Sequence, residues 1–203
     1  MKVADFVDRA VIRLNTEPQA LPRRGDHDLN LGFGEPPAPP AIPAAVLIGV
    51  IERPDGLMVI LTERAGHLSK HPGQIAFPGG KIDATDANPW AAALREADEE
   101  IGLPSTDARL VGYLDSYQTG TGFQIVPAVA LISSNFIARP NASEVAEAFE
   151  VPLVFLLDPA NHARHEREWR GRMRSYYAMP YGERYIWGAT AGMLRNLYER
   201  LEG

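Results

Sequence analysis

The 203-residue chain contains no cysteine. That excludes disulfides, thiol nucleophiles, iron–sulfur clusters and cysteine-ligated zinc together. No stretch approaches the roughly 18 apolar residues of a membrane-crossing helix. The opening residues, Met1-Lys2-Val3-Ala4-Asp5, bring an acid early and lack the apolar run of a signal peptide. Positive charge is also short: 20 Lys and Arg stand against 26 Asp and Glu, a net charge of −6. That balance disfavours a protein held on nucleic acid through phosphate contacts. A small phosphorylated ligand needs only a local basic patch, so it stays open. These shortages lead us to expect a cytoplasmic protein with no nucleic-acid partner and no membrane. The 45% hydrophobic and 23% charged residues are ordinary for a folded domain.

Val3, Phe6, Val7, Ala10, Val11 and Leu14 follow the three-four spacing of one apolar helix face. Pro18 and Pro22 end that helix. Residues 15–43 hold seven prolines, including Pro36, Pro37, Pro39 and Pro40. The glycines there, Gly32 and Gly34, make no dinucleotide fingerprint, because position 37 is proline. Residues 1–43 therefore read as a helix and a proline-rich extension packed on a domain formed by 44–203. This N-terminal part suits either a homodimer contact or a cover over the core.

From Ala44 a buried-strand run begins, Pro54-Asp55-Gly56 turns the chain, and Leu57 to Thr62 returns as a second strand. Residues 63–80 read as a loop with one short strand near Ile75 to Phe77. The next helix is sharply bounded: Asn88 as N-cap, Pro89 at the first helical position, Gly102 as the stop. Strand-like runs follow at Arg109 to Tyr117 and Phe123 to Ile132, joined by Thr119-Gly120-Thr121-Gly122. Residues 162–187 read as charged, aromatic strands or loops. Leu194, Leu197, Tyr198 and Leu201 mark a last helix. Hairpins among interleaved strands and helices favour a mixed sheet in an α/β fold.

The chemistry concentrates in the helix at 89–101. Glu96, Glu99 and Glu100 lie at i, i+3 and i+4 and project from one face, where like charges repel. They also occupy the last turns, where the helix dipole disfavours anions. A bound Mg²⁺ or Mn²⁺ would remove that cost, and carboxylate oxygens suit such ions. E-x-x-E-E alone also describes a solvated acidic helix face. Phe77-Pro78-Gly79-Gly80 sharpens the reading, because two glycines allow close approach of a carbonyl or phosphate.

Gly80, followed by Arg95-Glu96-Ala97-Asp98-Glu99-Glu100-Ile101-Gly102-Leu103, resembles the Nudix box, G-x5-E-x7-R-E-U-x-E-E-x-G-U. Asp86 stands nearest the first acid of that box, but it is aspartate and lies one residue further from Arg95. Leu61-Thr62-Glu63-Arg64-Ala65, Gly73 and Phe77-Pro78-Gly79-Gly80 resemble the signature of the coenzyme A pyrophosphatase subfamily. Ile60 replaces its first leucine and Ser69 its second arginine. His71-Pro72-Gly73-Gln74, Gly122-Phe123-Gln124, Glu144-Val145 and Ile186-Trp187-Gly188 are similar too.

The resemblance implies a Nudix fold, a mixed β-sheet sandwiched between α-helices. It implies hydrolysis of a nucleotide of the CoA class, with 3′,5′-ADP and (acyl-)4′-phosphopantetheine as products and Mg²⁺ or Mn²⁺ as cofactor. Glu96 and Glu100 are then metal ligands, and Glu99 a third ligand or a group that positions water. Glu144 is a candidate general base from a later loop, although Asn141-Ala142-Ser143-Glu144 also has capping-box spacing. Arg64, Phe77, Gly79 and Gly80 are substrate-binding candidates, with Arg64 neutralising phosphate. Arg95 is expected to hold neighbouring carboxylates. Ser69 leaves ADP-ribose or NADH open as substrates, and a non-catalytic nucleotide-binding module is a third reading. His162 and His165 are expected to face water. Trp187 is expected to pack the last helix rather than stack on adenine. Arg164, Arg167, Arg170, Arg172 and Arg174 suit a basic patch for the 3′-phosphate, but such alternation is more often an exposed strand face, here balanced by Glu166 and Glu168.

Overall fold

The computed structural model describes residues 1–30, 41–68, 71–169 and 171–203. Pro36, Pro37, Pro39, Pro40, Gly32, Gly34, Ser69 and Arg170 lie outside the described residues. The chain order is α1 (Val3–Arg13), β1 (Arg24–Gly25), β2 (Ile42–Arg53), β3 (Gly56–Arg64), β4 (Ile75–Ala76), β5 (Gly79–Lys81) and α2 (Pro89–Ile101). It continues with β6 (Ala108–Tyr113), β7 (Tyr117–Gln118), β8 (Phe123–Ile132), β9 (Val145–Pro152) and α3 (Leu153–Leu156). It closes with β10 (Ala163–Trp169), β11 (Arg172–Tyr181), β12 (Arg184–Trp187) and α4 (Ala189–Glu202).

Among the described residues nine strands form one mixed sheet, with β1-β7-β8-β2-β3-β4 as its main path. The β2–β3 hairpin closes at Arg53 opposite Gly56, where the turn residues require it. β2 and β8 run parallel, from Ile42 opposite Phe123 to Ile51 opposite Ile132. β10, β11 and β12 make a separate antiparallel sheet.

β2 explains the layering. Val46, Ile48 and Val50 pack into a core with Phe6 of α1 and Leu194 and Leu197 of α4. The alternate residues Ala45, Leu47 and Ile51 pack with Ala92, Ala93, Ala97 and Ile101 of α2. Period-two alternation thus sends successive side chains into opposite layers, and both are apolar because helices cover both faces. This is the sandwich expected from the sequence. The three alanines let α2 lie close to β2, so the acidic residues of that helix are carried to the sheet surface.

Two local expectations change. Val11 is 61% exposed, because it sits about 100° round the helix from the buried Ala10. His162 does not face water: Nε2 lies 2.8 Å from the Leu156 carbonyl oxygen, and its ring stands edge-on to Tyr198. Burial pushes its imidazole pKa down.

Candidate active site

α2 is bounded as its sequence demands. The Asn88 side chain accepts the Ala91 N–H at 2.9 Å. Gly102 closes the helix at φ 66°, a left-handed position that glycine adopts without strain. The last turns of α2 face β5. An added Cβ at Gly80 would lie 2.5 Å from the Glu96 carboxylate. One at Gly79 would lie 2.4 Å from the Ala45 carbonyl oxygen, and Gly79 has φ 153°. Only glycines at these positions let β5 pair with β2 and let the carboxylates of α2 close over it.

The three glutamates of the helix differ sharply. Glu100 is only 3% exposed and accepts the Gly79 N–H at 3.1 Å. Burial pushes its pKa up to about 7, and the charges of Glu96 and Glu144 add to this. The Gly79 N–H and the Arg64 charge oppose the rise but do not cancel it. Glu96 is half-buried and also raised, first by burial and then by Glu99 and Glu144, against the pull of Arg95. Glu99 is exposed and held by Arg95 at 3.2 Å.

Arg95 is the hub that the sequence suggested. It grips Asp86 with two bonds, at 3.1 and 3.0 Å. It reaches Glu96 at 3.1 Å and donates to the Lys81 carbonyl. Arg95 and the Asp83 N–H hold the Asp86 carboxyl below its ordinary pKa. Asp86 therefore anchors the arginine of the box in this structure.

Arg64 enters from the end of β3. Its Nε is buried and has no hydrogen-bond partner, while its charge acts on Glu100. Glu144 enters from the turn before β9, where its carbonyl accepts the Ala65 N–H at 2.9 Å. No helix starts at Asn141. Its Oδ1 accepts from the Ser143 N–H and hydroxyl in a local turn, so the capping-box spacing is coincidental. Phe77 needs correction as a substrate-binding residue. It is 2% exposed and belongs to the core with Ile75 and Leu61. It has no surface to offer a ligand and anchors the loop that presents Gly79 and Gly80.

Among the described residues no group of three or more His, Asp or Glu side chains stands arranged to hold an ion. Arg95 engages Glu96 and Glu99, and Glu100 faces the Gly79 N–H. The donor chemistry nonetheless suits a hard divalent cation. Two neighbouring carboxylates, both raised by burial and by surrounding negative charge, lose that penalty when a cation arrives.

A NUDIX domain model matches residues 41–170. The protein called "Uncharacterized Nudix hydrolase NudL" in Salmonella paratyphi B is 43% identical over 155 residues, 76% of this chain and 80% of that one. Its namesake in Salmonella enteritidis matches equally. Among solved structures, an Ap4A hydrolase of C. elegans in a binary complex shares 16% identity at a TM-score of 0.48. That match covers 55% of this chain and 80% of the other. The chain belongs to the Nudix family and is a Nudix hydrolase. Enzymes of this family generally need a divalent ion such as Mg²⁺ or Mn²⁺.

Proposed function

We propose that this Nudix hydrolase cleaves the pyrophosphate of coenzyme A or its thioesters, giving 3′,5′-ADP and (acyl-)4′-phosphopantetheine. The observation that carries the hydrolytic reading is Glu100: a carboxyl only 3% exposed, set beside Glu96 and against the Gly79 N–H, and raised to about 7 by that burial. The substrate reading rests on the Leu61-Thr62-Glu63-Arg64-Ala65 and Phe77-Pro78-Gly79-Gly80 stretches, which resemble the CoA pyrophosphatase signature.

In this reading Glu96, Glu100 and Glu99 hold Mg²⁺ or Mn²⁺. Such an ion neutralises phosphate oxygens and lowers the pKa of bound water. Arg64, whose charge acts on Glu100, neutralises a substrate phosphate. Gly79 and Gly80 give the phosphates close access. Glu144, whose charge is felt at both Glu96 and Glu100, takes the proton of the attacking water. The water oxygen bonds to one phosphorus, the bridging P–O bond breaks, and the two phosphorylated halves separate.

A second reading, turnover of ADP-ribose or NADH, is kept because Ser69 replaces an arginine of the signature. A screen of CoA, acetyl-CoA, ADP-ribose and NADH with Mg²⁺ and Mn²⁺, beside EDTA, decides between them. The expected result is 3′,5′-ADP from CoA, abolished by EDTA. Preference for ADP-ribose or NADH would keep the chemistry and discard the substrate. Silence on all four, with Glu96→Gln leaving ligand affinity intact, would favour a non-catalytic nucleotide-binding module.

A further inference from the structure

The β11–β12 hairpin turns through Gly182 and Glu183, with Tyr181 directly opposite Arg184. Gly182 takes φ 59°, a left-handed position that so short a turn favours. The turn fixes the start of β12, and Arg184 reaches from there to the main sheet. Its guanidinium carbon lies 3.7 Å from the centre of the Phe149 ring. Two of its nitrogens donate to the two Glu147 carboxylate oxygens, at 2.8 and 2.9 Å. Phe149 and Glu147 are two residues apart on β9 and so share a face. A planar guanidinium covers a ring and grips a carboxylate with its fork at once, which an ammonium group does not.

Glu147 stands directly opposite Glu63 of β3, and like charges so placed push the strands apart. The charge of Arg184 acts with both acids. The next step along the two strands is irregular. Arg64 pairs with Val145, so Ala146 is left over as a bulge. A bulge bends its strand and re-aims the side chains beside it. Glu144 lies just beyond: its carbonyl accepts the Ala65 N–H at 2.9 Å, and its charge is felt at Glu96 and Glu100. β3 is held on its other side by β2 and β4. Among the described residues β9 pairs with β3 alone. Any parting of Glu63 from Glu147 therefore displaces β9 and the turn that carries Glu144.

We propose that Arg184 is a positioning residue for hydrolysis: by gripping Glu147 it holds β9 against β3 at the bulge and so fixes Glu144 toward the carboxylates of α2. This rests on the reading of Glu144 as the group that takes the proton of the attacking water. Arg184 acts on that proton transfer only through Glu147 and the bulge. A reacting group misplaced by about 1 Å loses on the order of 100-fold in rate, so a hold on β9 from the second sheet bears on turnover as well as on stability.

A double-mutant cycle tests this. Steady-state turnover with Mn²⁺ is measured per folded molecule for Arg184→Gln, Glu144→Gln and the double variant, the folded fraction coming from urea unfolding. The substrate is whichever of CoA, acetyl-CoA, ADP-ribose and NADH the wild type cleaves fastest. Glu144→Gln should lower kcat by about 100-fold. Arg184→Gln should lower kcat roughly tenfold and change KM by less than about twofold. In the double variant the second loss should vanish, leaving kcat within about twofold of Glu144→Gln alone. Arg184→Lys keeps the charge beside Glu63 and Glu147 but not the fork, and should recover part of the lost kcat. It carries the same cycle if Arg184→Gln does not fold. A role in stability alone would leave kcat per folded molecule unchanged. That result, or losses that multiply in the double variant, overturns the assignment and leaves Glu144 as the base. If Glu144→Gln keeps the wild-type kcat, the reading of Glu144 falls, and the assignment of Arg184 falls with it.

Discussion

Two carboxylates are buried to a similar degree in this protein, and their surroundings treat them oppositely. Asp115, between β6 and β7, is 6% exposed. Burial alone would push its pKa up, but bonds from Arg200 and Asn196 outweigh this and hold it below the ordinary value. Arg200 contributes Nε at 3.0 Å and a second nitrogen, and Asn196 contributes its amide at 3.1 Å. Glu100 receives one backbone N–H and neighbouring negative charge, and rises to about 7. The first carboxylate is satisfied by its own fold and holds α4 to the sheet. The second is left short of positive charge, so the fold bears a cost that an incoming cation removes. A buried carboxylate marks a site by the partner it lacks.

The contrast yields ordered expectations. The largest concerns chemistry: Glu96→Gln should lower metal-dependent turnover by at least about 100-fold, in steady-state assays, with the fold retained by circular dichroism. Asp115→Asn should instead cost about 3 kcal/mol in urea denaturation, because it strands Arg200, while turnover per folded molecule stays within about twofold. Glu100→Gln should move stability the other way. Below pH 4.5 the Glu100 carboxyl is neutral whether folded or unfolded. Between there and about 7 the folded chain holds the proton more tightly, so metal-free stability falls as pH rises through that window. At pH 8 the glutamine variant should then be more stable by roughly 3 kcal/mol, and Mg²⁺ or Mn²⁺ should stabilise only the wild type. Unfolding curves at pH 5 and pH 8 check this. An unchanged or lower stability at pH 8 would remove the contrast. The smallest effect is Asn88→Ala, which should cost about 1 kcal/mol by losing the cap on α2.

Much of this was legible in the sequence wherever the signal was local. Asn88, Pro89 and Gly102 bound α2 because caps act within one turn. Pro54-Asp55 closes the β2–β3 hairpin for the same reason. The acidic cluster was legible because helical spacing alone places Glu96 beside Glu100. What escaped depends on distant residues. Phe77 reads as a substrate-binding candidate until Leu61 and Ile75 are seen to bury it. Arg167, Arg174 and Trp187 come to border one cavity only once residues 24–30 and Gln74 fold against them. Asp86 shows its role only once Arg95 turns back to meet it. The difference in burial between Glu99 and Glu100 follows from the rotation of α2 against β5, which spacing by itself does not set.

The parallel pairing of β2 with β8 bears on how the chain reaches this form. Ile42 through Ile51 find their partners only when Phe123 through Ile132 arrive, and the whole of α2 lies between. During synthesis β2 and β3 can form their hairpin early, but one edge of the apolar β2 stays open until much of the chain has emerged. Non-local pairing of this kind slows folding and leaves an open strand available to other chains. The step most vulnerable to aggregation is thus the wait for β8, and truncations before Phe123 should yield insoluble protein.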